Sequence, residues 1–235
     1  MEFVVQYLFW VVFFLLLALI LPRVIPVPDT LVKQFGPAAA KHPQFYSFTS
    51  NFVSVFHAVV TFVVSIILLS ISGVDYMRAN TPEQTSLFAF SCGYFTIDFI
   101  FGIIHKYNDT PTHFHHICTT SSFIYGLVKA RYGDNLLWAL TMTEISNPFL
   151  LLSRNFEMIP KLQHLAFPLS LIFAGVFIFA RTYLANYFIS GMMVSQVSLY
   201  LKLNCAFLCF LKRVYFAVLG LCHRAQTDQR ISQYL

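Results

Sequence analysis

At 235 residues, 57% hydrophobic and only 11% charged, the chain carries too little charge to cover a water-soluble surface, which typically uses about 25%. Its 27 phenylalanines suit lipid rather than water as the surrounding solvent. The net charge of +5 is thinly spread, with Lys212 and Arg213 the one adjacent basic pair; this excludes a nucleic-acid-binding tract and leaves the basic residues as markers of membrane topology.

A bilayer core about 30 Å thick asks for about 20 mostly apolar residues per helix, and by that ruler the chain holds about seven candidate spans. The first covers 3–21 and is closed by Pro22. It has a long apolar run and no positive leader, so it reads as an uncleaved anchor. A connector follows, in which Pro22, Pro26, Pro28, Pro37 and Pro43 disfavour one continuous helix. Spans two and three cover 52–73 and 86–105. The fourth, 112–129, is diluted by Thr119, Thr120, Ser121 and Ser122. The fifth, 135–154, is interrupted by Pro148 and carries Glu144 and Asn147. The sixth covers 165–189 and the last 199–221. Polar spans such as the fourth and fifth survive where their polar faces meet protein or water. The division expected is an anchor and connector over 1–44, a membrane domain over 45–221 and a tail over 222–235.

Positive charge sets orientation. Segments after spans one, three and five, with the C-terminus, hold Arg23, Lys33, Lys41, Lys106, Arg154, Lys161, Arg213, Arg224 and Arg230; the other side holds Arg78, Lys129 and Arg131. This predicts the N-terminus outside and the C-terminus on the cytoplasmic or matrix side. Five cysteines are an odd number, and Cys205 and Cys209 sit in an apolar run without a second pair, so neither a disulfide framework nor a metal site is expected.

An ionisable group inside a span costs about 2.5–3.5 kcal/mol on insertion scales and so demands a partner or a cavity. Asp98, Glu144 and Arg181 fall inside spans three, five and six, with His116 and Arg154 nearer an edge. Asp98 and His105, seven apart, share a helical face. Glu144, Asn147, Leu151 and Arg154 follow a stripe about 80° wide. Pro148 removes the backbone donor that would serve the Glu144 carbonyl. These groups either pair to hold the bundle together or line a polar pocket for a lipid head group or a reacting carbonyl.

The stretch GIIHKYNDTPTHFHH, from Gly102 to His116, concentrates four histidines, while His42, His57, His164 and His223 are isolated. His113 and His116 have ligand-like spacing, yet a metal would need Asp109 and Asp98 to complete its shell, and no metal is expected. His105, His113 and His115 read as interfacial residues at span ends. His116, oriented by Asp98, reads equally as a span-end residue or as a general base for an alcohol or amine attacking an acyl carbonyl.

The order GYFTIDFI, then THFHH about eighteen residues after the aspartate, then TEISNPFLLLSRN, then Arg181 in the next span, resembles the TLC-domain family, which includes the ceramide synthases. The resemblance covers about 45–221. It implies an all-α polytopic bundle around a central cavity for an acyl chain, with His115 and His116 matching the family's catalytic pair, Asp98 an acidic position before it, and Glu144, Asn147 and Arg154 the polar helix after it. The second acidic motif of the ceramide synthases is absent, Thr141 to Ile145 standing in that region, which points to the non-synthase branch. The resemblance thus implies a protein that handles lipid acyl chains and influences membrane lipid composition. His116, His115 and Asp98 are then candidate catalytic groups, and Asp98, His116, Glu144, Asn147, Arg154 and Arg181 candidate head-group contacts. Bound phospholipid is the expected ligand, acyl-CoA a candidate substrate for acyl transfer, and no cofactor is expected. The rival reading is a non-catalytic subunit of a large membrane complex such as a respiratory one. Membrane lipids and other membrane subunits are the expected partners; the endoplasmic reticulum is the expected location, with the mitochondrial inner membrane as the alternative.

Overall fold

The computed structural model describes residues 2–194, all of whose regular structure is helical. The seventh expected span, the Cys205–Cys209 pair and His223 lie outside the described residues. Four helices are long and apolar enough to cross a membrane: α1 (Glu2–Val24), α3 (Pro43–Ser72), α4 (Pro82–His105) and the run Gln163–Gly191, which joins α8 (Gln163–Phe179) to α9 (Ala185–Val194). A short α2 (Asp29–Phe35) and a 3-10 turn (Gly36–Lys41) occupy the proline-rich connector.

The starts and stops follow local chemistry. Thr81 and Gln84 form a reciprocal capping box at the start of α4, satisfying two backbone donors that the first turn leaves open. Asp109 caps α5 (Thr110–Lys129) by accepting from the Thr112 amide at 2.9 Å. Gly73 ends α3 at φ +66°, a left-handed conformation that glycine adopts without a Cβ clash.

The expected fifth span is not one helix. It is divided into α6 (Gly133–Glu144) and α7 (Asn147–Glu157), with Ile145 and Ser146 between them. Pro148 lies in the first turn of α7, where its missing N–H is harmless; in a continuous helix it would have clashed with the carbonyl side of the preceding turn. At 1.5 Å per residue the halves are about 18 and 16 Å long, so neither is long enough to cross a bilayer core alone.

A π-helical turn, Ala180–Leu184, joins α8 to α9. It carries Arg181, which is buried and donates from Nη1 to the Met142 carbonyl at 2.7 Å. Its guanidinium lies 5.4 Å from the Phe177 ring centre. The last carbonyls of a helix have no partner within it, and inside hydrocarbon such groups must be satisfied by protein. Arg181 performs that service for the interrupted span.

α1 packs on α4. Phe14 is 1% exposed and meets Phe90 and Tyr94, while Trp10 sets its edge against Phe90. A Cβ at Gly93 would come within 2.7 Å of Trp10 Cβ and 2.9 Å of its backbone carbon, so glycine permits this approach. Tyr7 and Thr96 hydroxyls meet at 3.2 Å on the same seam.

Two opposite ends are tied separately. At one, Asp134 accepts from the Asp75 amide at 2.8 Å and from Gln84 Nε2 at 2.6 Å, and Asn135 donates to the Tyr76 carbonyl at 2.9 Å. At the other, Thr30 donates to the Met158 carbonyl at 2.7 Å, and Tyr46 stacks on His105 with ring centres 3.7 Å apart.

Candidate functional site

The α2–α3 connector, the α4–α5 loop and the α7–α8 loop share that second end, and a cavity of about 350 Å³ opens below them. Helices α3, α4, α5, α7 and α8 form its walls, and Glu144 reaches it from the end of α6. Exposed Asp109, Pro111 and Arg154 rim its mouth. Leu150, Leu151, Phe95, Phe173 and Phe177 supply apolar wall, while Ser47, Ser50, Asn51, Ser54 and Asn147 supply neutral polar groups.

Asp98 and His116 meet in its wall. His116 Nε2 lies 3.5 Å from Asp98 Oδ2, with the two side chains 6% and 10% exposed. Asp98 Oδ1 accepts from Ser50 Oγ at 2.8 Å and from the Tyr107 hydroxyl at 3.0 Å, and Oδ2 accepts from Asn108 Nδ2 at 3.3 Å. A carboxylate removed from water needs such donors. Burial, and then the charge of Asp98, push the Tyr107 phenol above its ordinary range, so it remains a donor at neutral pH.

Glu144 is buried, and Asn147 donates to its Oε2 at 2.7 Å across the helix break. The break leaves the expected stripe facing inward: Glu144, Asn147, Leu151 and Arg154 all line the cavity although they no longer share one helix. His115 also lines it, 3.4 Å from Thr119 Oγ1. Arg181 stands behind this wall, against Met142 and Phe177, and is not among the lining residues.

The remaining histidines separate. His105 ends α4 and stacks on Tyr46, away from the cavity that Asp98 lines on the same helix. His113 packs against Phe99 with ring centres 5.3 Å apart. Asp109 is engaged with Thr112 at the start of α5. Among the described residues no group of three His, Cys, Asp or Glu side chains converges as metal ligands would.

Sequence reasoning passed over several members of the site. Ser50, Tyr107 and Asn108 hold Asp98, and behind the lining His57, 1% exposed, stacks on the lining residue Tyr94 at 3.9 Å. Tyr94 donates to Ser54 Oγ at 2.8 Å. The signal was present in α3: Ser47, Ser50, Ser54, His57, Thr61 and Ser65 recur at three- and four-residue intervals, the period of one helical face.

Helices with lipid-like exteriors around a buried carboxylate–imidazole pair define a polytopic membrane protein with a polar chamber in its bundle. A model of the TLC domain matches residues 47–224, and the chain belongs to the TLC-domain family, an integral membrane family. No curated protein matches the chain.

Proposed function

We propose that this protein binds a membrane lipid with its head in the chamber and its carbonyl beside His116, and through that binding influences membrane lipid composition. The observation that supports the reading is the meeting of Asp98, His116 and Glu144, from three helices, in one cavity that also has an apolar wall. About 350 Å³ lies near the lower end of the range for small-molecule pockets. It suits a head group and the first carbons of a chain.

The same pair can support acyl chemistry. With the Nε2 proton directed at Asp98, Nδ1 is the basic nitrogen of His116. It would take the proton of an attacking hydroxyl or amine as the carbon–oxygen or carbon–nitrogen bond forms, then pass it to the departing group. Asp98 would set the tautomer and ring orientation, as a carboxylate behind an imidazole does elsewhere.

His116→Ala and Asp98→Asn should each abolish the change in cellular lipid composition that accompanies expression of the native chain, at equal protein level in the membrane. Loss of co-purified lipid along with that change would mark binding. Retained lipid with a lost change would mark chemistry. An unaltered lipid profile in both variants would refute the site.

A further inference from the structure

The chamber is too small for a long acyl chain, so a bound lipid must place its tail elsewhere. On the far side of Asp98 there is a second, smaller hollow of about 30 Å³, roughly one water's share of liquid volume. Its walls are chiefly apolar: Phe14, Ala18 and Leu21 from α1, Val53 from α3, Ile97 and Phe101 from α4. Ser50, Tyr94, Asp98 and Tyr107 belong to the linings of both spaces. The two hollows are thus separated by one layer of side chains.

We propose that this crevice between α1, α3 and α4 receives the acyl tail of the lipid whose head occupies the chamber. The proposal rests on the lipid reading above and adds a place and a route. Three observations favour this side. The oxygens of Asp98 are already turned toward Ser50, Tyr107, Asn108 and His116, so a passing methylene chain does not strand a bare charge. On the α8 side, Phe173 and Phe177 stand side by side in the chamber wall with ring centres 5.5 Å apart. Finally, α1 meets lipid along its outer face, through exposed Leu16, Leu19 and Ile20, so a tail leaving by this seam reaches hydrocarbon.

The hollow is narrow as it stands, and admitting a tail means parting the C-terminal end of α1 from α4. The middle of α1 is held by the close approach at Gly93. The C-terminal end carries Pro22 inside the helix, which removes one backbone bond to the preceding turn. α1 precedes the 47–224 match, so this assigns a ligand-binding role to a helix outside the matched region.

The test uses the full chain in native-like membranes and a long-chain fatty acid probe carrying a diazirine near the middle of its tail. Light-induced adducts should map to α1, in the peptide containing Ala18 and Leu21. Ala18→Phe fills the crevice and should remove those adducts and shift competition toward shorter-chain fatty acids. Leu21→Ala widens it and should shift competition the other way. Leu19→Phe, on the lipid-facing side, controls for membrane insertion and should change neither readout. Adducts confined to Phe173, Phe177 and their neighbours, insensitive to Ala18→Phe, would overturn the tail route while leaving the chamber reading intact. Absence of adducts anywhere in the bundle would overturn both.

Discussion

Asp98 sits where a charge is hardest to keep, and its neighbours show how it is kept. A hydrogen bond to a charged group is worth about 1.5–3 kcal/mol net, so Ser50→Ala and Tyr107→Phe should each lower thermal stability in detergent by about that much or less. Because both donate to the same oxygen, the double variant should depart from additivity in a double-mutant cycle. The raised Tyr107 pKa has a definite sign. Its contribution is constant below about pH 10, the ordinary phenol value, and declines above it. Stability of the native chain and of Tyr107→Phe, followed across neutral pH, should therefore differ by a fixed offset. At this scale the sequence was informative about charges and poor about their partners. Asp98, His116 and Glu144 stood out because lipid makes each one costly. Serine and tyrosine cost little in a membrane sequence, so Ser50 and Tyr107 did not.

Among the elements, the α6–α7 break determines the site most directly. It sets Glu144 and Asn147 on two helix ends that meet inside the bundle. Pro148→Ala would restore a donor and permit a continuous helix. We expect stability to change little, since Pro148 lies in the first turn of α7 where its missing N–H costs nothing, while the lipid effect falls because Glu144 and Asn147 are drawn into a different register. Lipid profiling alongside thermal melting separates the two outcomes. Gly93→Leu should act oppositely, forcing α1 from α4 at a cost of about 1–3 kcal/mol for overpacking, read as a lower melting temperature. Pro148 made an interruption legible in advance, but not its width, and nothing in the sequence signalled that a π-helical turn would aim Arg181 at the Met142 carbonyl. That turn is a tertiary answer to backbone groups left open in another helix.

On the scale of the whole molecule, low charge and long apolar runs were enough to indicate an all-helical membrane bundle, because lipid permits few other solutions. The ordered motifs on successive helices were enough to indicate the TLC domain, which the family match shows. Composition cannot encode which hollow is continuous with which, since that depends on helices distant in sequence meeting at side-chain resolution. The basic residues described around the chamber mouth include Lys106, Arg154 and Lys161, while Arg78, Lys129 and Arg131 lie toward the other end. If the chamber end faces the cytoplasm or matrix, a cysteine introduced beside Lys106 should resist an impermeant thiol reagent in sealed membranes and react after permeabilisation. Native electrophoresis after mild detergent extraction bears on partners. Migration near 27.0 kDa plus bound detergent and lipid fits a chain that works alone, and strict co-migration with a large assembly fits an accessory subunit.

The division of the expected fifth span into two half-length pieces also bears on biosynthesis. A segment of 12 residues followed by one of 11 offers the insertion machinery no single stretch of ordinary length, because about 20 residues are needed to bridge the hydrocarbon. The two pieces are therefore expected to enter the bilayer together, against α3, on which both pack. A cysteine placed in α6 should stay open to a water-soluble thiol reagent in chains ending just after Glu144, and should become protected in chains extended past Glu157 and clear of the ribosome.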